Sequence, residues 1–351
     1  MIAPFVRNAI AVGTAAFALA FAASFDANPS LYLYDKFFVN DDTLRKYFQG
    51  KSIWITGASS GIGKELALRA SKYGAKNLIL TGRSPERLQI VADSCSESSA
   101  SIISILPFDM TATNDEFHKA IFSLEKILGD DNLDCVILNA GRGQLQPAET
   151  TSSSTTSEIF QINALSPIAL SQILLEKGIL NKEKKGRRRR QQQLIITSSV
   201  GALIGLPLSS SYAASKHALH GYFNTLRAEK TWLDISLICP GTVDTSFHSN
   251  YVGGSDHTGD SPNEDKQALR TRKMKMPLDR CVRLYISSLM QGNGESWIAE
   301  QPILSGLYIN QFLPGIFQKI LAKTGPLRLK AWEEGKDLYD PKTWKDIGKR
   351  K

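Results

Sequence analysis

The chain has 351 residues, 42% hydrophobic and 22% charged; these are globular proportions and exclude a collagen-like or wholly disordered protein. The formal net charge is +8, but the single run Lys182–Arg190 supplies +6 of it. The remainder is close to neutral, which argues against a nucleic-acid-binding surface.

No charge falls between Arg7 and Asp26. As a helix, Asn8–Phe25 would measure roughly 27 Å, about one bilayer core. Two readings compete for residues 1–27: a retained single-pass anchor, or a signal peptide cut at Ala20-Phe21-Ala22 or Ala22-Ala23-Ser24. An amphipathic or disordered leader is the plain alternative. Residues 28–49, polar and aromatic, read as a linker.

From Ile53-Trp54-Ile55 onward, strand-like and helical runs alternate. Asn77–Leu80, Ser101–Leu106, Asp134–Leu138, Gln193–Thr197 and Ile235–Cys239 are short, apolar and rich in Ile, Leu and Val. Between them Lys64–Tyr73, Pro85–Ser94, Asp115–Leu128, Glu158–Leu180 and Ser211–Trp232 read as helices, with Thr150–Ser157 as a loop and N-cap. This alternation predicts one α/β domain over residues 50–300, a doubly wound parallel sheet in a three-layer Rossmann sandwich. Lys182–Arg190 reads as a solvated loop, with an anionic-lipid contact or nuclear targeting as alternatives. Ser249–Lys275 is a disordered segment or a lid, followed by a helix over Pro277–Met290 and a strand over Ser296–Ala299. Residues 301–351 form a C-terminal extension. Its apolar part, Pro302–Phe317, reads as a substrate mouth, a membrane contact or a core-packing segment.

Cys95, Cys135, Cys239 and Cys281 include no CxxC pair and no metal-spaced histidine, so they read as structural thiols. His217 and His220 have no third ligand near them in sequence, and no metal site is expected.

Two groups of residues carry chemistry. The first is Thr56-Gly57-Ala58-Ser59-Ser60-Gly61-Ile62-Gly63, between a strand and a helix. Glycines there allow a tight turn and bring a pyrophosphate onto the helix N-terminus. The next strand ends Leu80-Thr81-Gly82-Arg83, without the carboxylate that takes a ribose 2′-hydroxyl. A guanidinium suits a 2′-phosphate, which predicts NADP(H) in preference to NAD(H). The second group is Tyr212 and Lys216, four apart and so on one helix face. The ammonium would draw a phenol's pKa down from about 10.

The glycine spacing resembles the short-chain dehydrogenase/reductase superfamily. Other motifs follow in that family's order over residues 51–245: Asp109, Asn139-Ala140-Gly141, Asn163, Ser199, Tyr212, Lys216 and Pro240-Gly241-Thr242-Val243-Asp244-Thr245. Leu138 stands where the family usually has a first asparagine. The resemblance implies that Tyr212 is the acid/base, with Lys216 on the nicotinamide ribose. Ser199 would bind the reacting oxygen, and Asn163 a relay water. It implies cofactor contacts from Gly57, Ser59, Ser60, Gly61, Ile62, Gly63, Arg83, Asp109, Asn139, Ala140, Gly141, Pro240, Gly241, Val243 and Thr245, besides Tyr212 and Lys216.

Arg280–Leu284 and Trp297–Pro302 look like the member-seven group of the family, related to the microsomal hydroxysteroid dehydrogenases. That group implies a membrane enzyme of the endoplasmic reticulum, a homodimer, acting on lipophilic alcohols or carbonyls such as steroids or retinoids. A cleaved signal and a secretory or organellar lumen form the alternative location. The rival functions are a long-chain keto-lipid reductase and a nucleotide-binding membrane scaffold without turnover.

Overall fold

The computed structural model describes residues 24–96, 101–181, 191–247, 251–252, 275–336 and 338. The uncharged run up to residue 23, the basic run Lys182–Arg190, most of Ser249–Lys275 and the tail beyond residue 338 lie outside the described residues.

Strands β1 (Ser52–Thr56), β2 (Asn77–Thr81), β3 (Ile102–Ile105), β4 (Cys135–Leu138), β5 (Gln193–Thr197), β6 (Asp234–Pro240) and β7 (Glu295–Ile298) form one sheet in the order 3-2-1-4-5-6-7. Every neighbouring pair is parallel. The two-residue period of a strand divides the core between the two faces. On one face Ile53 and Ile55 pack with Leu66 of α3 (Gly61–Lys72), Leu88 of α4 (Pro85–Ser96) and Leu284 of α9 (Leu278–Gln291). On the other, Trp54 packs with Phe117 of α5 (Asn114–Leu128), Leu170 of α7 (Ser166–Glu176) and Phe223 of α8 (Ser210–Glu229). The three-layer arrangement expected from the alternation is therefore present.

Two local expectations are corrected. Residues 28–49 are no linker: they form α1 (Pro29–Phe38) and α2 (Asp41–Phe48). Asn40 and Thr43 close a capping box at the start of α2, and Leu31, Leu44 and Phe48 enter the core. The buried Asp35 explains the docking. Its carboxylate meets Arg280, Arg283 Nε at 2.9 Å and Ser287 Oγ at 2.8 Å, all on α9. Arg280 also clasps Asp26 with two bonds, at 2.7 and 2.9 Å.

The long helix expected over Glu158–Leu180 begins earlier and is interrupted. Ser152 caps α6 (Ser153–Phe160), a π-type turn occupies Gln161–Leu165, and α7 follows. Among the described residues, this continuous helical stretch is the one long and apolar enough to cross a membrane. It packs against α5 and α8 and carries Asn163 into the site, so it is a core helix here.

Pro302–Phe317 forms two helices interrupted at Leu313: α10 (Ile303–Phe312) and the start of α11 (Pro314–Glu333), where Pro314 sits in a first turn and its missing N–H costs nothing. Leu304, Leu307 and Phe317 face inward, while Phe312, Leu313, Ile316 and Ile320 remain exposed.

Removing Asp35 takes the shared buried carboxylate from Arg283 and from Arg280, which keeps only Asp26. Asp35→Ala is expected to lose about 3 kcal/mol of stability, read as a lower urea midpoint. An unchanged midpoint would mean that the clasp does not hold α1.

Candidate active site

The site is built at the carboxyl ends of the strands. After β1 the chain turns through Gly57 and Gly61, whose φ values of 68° and 53° lie in the left-handed region. A Cβ on Gly57 would stand 2.9 Å from Ala140 Cα, and one on Gly63 would stand 2.3 Å from Gly57 O. Side chains are thus excluded where the glycine turn packs against the loop after β4 and against the start of α3. Ser60, the N-cap of α3, makes no side-chain cap, so its hydroxyl leaves the first-turn amides to an anion. These features fit a dinucleotide.

Thr56 and Asn139 tie the β1 and β4 ends together. Thr56 Oγ1 accepts the amides of Asn139 at 2.9 Å and Ala140 at 3.2 Å. Asn139 Nδ2 donates back to the carbonyls of Thr56 at 3.2 Å and Gly57 at 3.3 Å. Thr245 lies within 3.5 Å of where a Gly61 Cβ would be, which brings the turn after β6 over the glycine loop.

One cavity of about 1380 Å³ runs across these strand ends. It is bordered by Gly57, Ser59, Ser60, Gly61, Ile62, Arg83, Asp109, Asn139, Ala140, Gly141, Ser199, Tyr212, Lys216, Pro240, Gly241, Val243 and Thr245. Of the residues predicted from sequence, Gly63 and Asn163 do not border it; they act from behind. Asp109 is oriented by Thr111, whose amide and hydroxyl both donate to its Oδ1, at 2.8 and 2.9 Å.

Sequence reasoning missed Arg87. Ser84 caps α4 by accepting the Arg87 amide at 3.2 Å, so Arg87 lies in the first turn and borders the cavity with Arg83. Glu86, between them, accepts from Ser84 Oγ at 2.7 Å. Arg83 precedes the Ser84 cap, so no helical spacing links the two arginines, and only the Ser84 cap before Pro85 hinted at the first turn.

At the other end, two glycines show how closely the reactive side chains gather. A Cβ on Gly201 would be 3.3 Å from the Tyr212 ring and 3.4 Å from Ser199 Oγ. A Cβ on Gly141 would be 3.3 Å from Asn163 Oδ1 and 3.6 Å from Lys216 Nζ. Ser199 Oγ also accepts the Gly201 amide at 3.0 Å. Lys216 Nζ donates to Thr197 O at 2.9 Å and sits 5.9 Å from the Tyr212 ring centre. Burial pushes the Lys216 amine down to about 8, against a smaller opposing influence of Cys239. Asn163 uses both ends of its amide on Arg142, accepting its N–H at 2.8 Å and donating to its carbonyl at 2.9 Å. The π-type turn presents it there, a distortion common at functional sites.

Beyond Tyr212 the cavity wall becomes mainly apolar, with Ile204, Leu206, Phe247, Ile309, Phe317 and Leu321 among its residues. His220 bonds Ser198 Oγ at 3.0 Å and Glu295 at 3.2 Å, and His217 bonds the carbonyl of Ala213. The four cysteines are free and buried, and burial raises their thiols.

The family model for short chain dehydrogenases matches residues 51–253. Dehydrogenase/reductase SDR family member 7 of Homo sapiens is 33% identical over 292 residues, covering 81% of this chain and 80% of that protein. Member 7B of Danio rerio is 28% identical, covering 79% and 86%. Among solved structures, a short chain dehydrogenase/reductase from Burkholderia phymatum, in complex with NAD, has a TM-score of 0.59 at 20% identity, covering 84% of this chain and 98% of its own. An alcohol dehydrogenase of Thermococcus sibiricus, complexed with 5-hydroxy-NADP, has a TM-score of 0.58 at 20% identity, covering 72% and 97%.

The lowered Lys216 amine has a stability signature. Below pH 8 the folded protein holds a buried ammonium at a cost; between about 8 and 10.5 the unfolded chain binds the extra proton, so stability from this group rises with pH. Lys216→Met lacks that gain. Its melting temperature relative to wild type should therefore be higher at pH 7 than at pH 10. A difference independent of pH would refute the assignment.

Proposed function

The chain belongs to the short-chain dehydrogenase family of oxidoreductases acting on alcohols and carbonyls, and from that premise we propose that it interconverts a lipophilic alcohol and its carbonyl with NADP(H). A bound nicotinamide dinucleotide supplies or accepts the hydride; all other work falls to the chain. Gly57–Gly63 would hold the pyrophosphate, Asp109 the adenine, and Lys216 the nicotinamide ribose. Tyr212 gives its phenolic proton to the substrate oxygen in reduction and takes it back in oxidation. Lys216 favours the phenolate by charge. Ser199 donates a hydrogen bond to the same oxygen. Asn163 fixes the Arg142 backbone beside Lys216 and orients the relay by which a proton returns from solvent.

The observation that carries this reading is the gathering of Ser199, Tyr212, Lys216 and Asn163 around Gly141 and Gly201 at the end of a cavity that a dinucleotide fits. NADP(H) is favoured by Arg83 and Arg87 at the β2 end, where Glu86 is engaged with Ser84. A lipophilic substrate is favoured by the apolar wall past Tyr212. Attachment to a membrane is supported by the uncharged run Asn8–Phe25. The exposed Phe312, Leu313, Ile316 and Ile320 lie beside the cavity-bordering Phe317, which suits a mouth turned toward lipid.

Two tests follow from the chemistry. Tyr212→Phe is expected to abolish NADPH consumption with a panel of steroid, retinoid and keto-lipid carbonyls while NADPH still binds; turnover near the wild-type rate would remove Tyr212 from its role. Joint replacement of Arg83 and Arg87 by alanine is expected to weaken NADPH binding about 100-fold and leave NADH binding nearly unchanged. Equal losses for both nucleotides would count against the 2′-phosphate reading.

A further inference from the structure

Tyr212 is the third residue of α8, and the first turn of that helix is capped from elsewhere in the chain. Ser209, its N-cap residue, makes no side-chain cap. Gln144, in the loop after β4, satisfies the orphan donors instead: its Oε1 accepts the amides of Ser211 at 2.9 Å and Tyr212 at 3.2 Å. The far end of the same side chain is fixed as well. Gln144 Nε2 donates to Thr151 Oγ1 at 2.7 Å, and that hydroxyl donates its own proton to Pro147 O at 2.8 Å. Flipping the amide would set N–H against N–H at the helix and leave Thr151 without its donor. Ser209 Oγ completes the link by donating to Gln144 O at 3.1 Å. Gln144 is 1% exposed, so water cannot replace these bonds.

We propose that Gln144 is a positioning residue for the reaction: it sets the height and rotation of the first turn of α8, and so the placement of the Tyr212 phenol against Ser199. The proposal rests on the reading of Tyr212 as acid/base. It separates two residues that otherwise act together. Lys216 lies one turn further on and is anchored independently to Thr197 O. Losing the cap frays the turn that carries Tyr212 and leaves the lysine, with the nucleotide end of the cavity, in place.

The test uses the full chain, the most active carbonyl of a panel and three variants. Gln144→Leu is expected to lower kcat about 10–100-fold, with the Kd for NADPH held within about twofold. Gln144→Glu is the conservative rescue. Its protonated carboxyl reproduces both the acceptor toward α8 and the donor toward Thr151, so at low pH kcat recovers to within about fivefold of wild type. On ionising, it keeps the acceptor but opposes phenolate formation, moving the Tyr212 limb of the rate–pH profile up by about half a unit or more. The other charged groups bordering this part of the cavity, Lys216, Arg142 with its partner Glu158, Glu300 and Arg328, are unaltered in every variant.

The proposal is overturned by a Gln144→Leu kcat within twofold of wild type, by NADPH affinity lost in step with rate, or by Gln144→Glu no better than leucine. If Gln144→Leu does not fold, the Gln144→Glu profile decides: an unshifted limb overturns the proposal and a shifted one supports it. Tyr212→Phe is the reference. An inactive Tyr212→Phe beside an active Gln144→Leu defeats the positioning role alone, whereas an active Tyr212→Phe defeats the functional reading and the proposal with it.

Discussion

The site depends on the seam between β1 and β4. Strand order reverses there, so the following helices leave toward opposite faces and open a crevice at the carboxyl ends. Thr56 and Asn139 hold that crevice to a fixed width with four hydrogen bonds across it, two to each other and one each to Ala140 and Gly57. Thr197 extends the lock to β5 by donating to Asn139 Oδ1 at 3.2 Å. With these ends fixed, successive strands each deliver one part. β1 supplies the glycine turn, β2 leads to Arg83, β3 to Asp109, β4 to Gly141, β5 to Ser199 and β6 to Pro240. The parts are far apart in sequence, but the parallel sheet places their supports in one row.

Such a row is legible in sequence because each part is announced locally. An apolar run followed by Thr56–Gly63, or by Asn139–Gly141, declares a strand and the loop at its end. Gln144 could not be found in this way. Its meaning depends on meeting a helix start 67 residues later, and nothing near it in sequence marks a cap. Arg87 required knowing where α4 begins. The π-type turn at Gln161–Leu165 changes the register of a helix without changing its apolar pattern, so periodicity could not disclose it.

The two helices over residues 29–48 were hidden for a different reason. Their stability resides in partners about 250 positions away: Asp35 is satisfied by α9, and Asn28 by Trp297. Read alone, the segment is polar and aromatic, and the Asn40–Thr43 capping box marks at most one helix start. Between α10 and α11, Pro314 marks the end of one helix and the start of the next, and α11 divides its apolar residues between a cavity wall and an open surface.

The clasp of Asp26 and Asp35 on Arg280 fixes how the catalytic body is carried. Phe25, the second described residue, is already buried beside Leu304 and Phe317. Asp26, Phe25 and the cavity-bordering Phe317 thus belong to one packed body, so a force applied at Ser24 is delivered to the wall of the cavity itself, as a bracket aims a lamp.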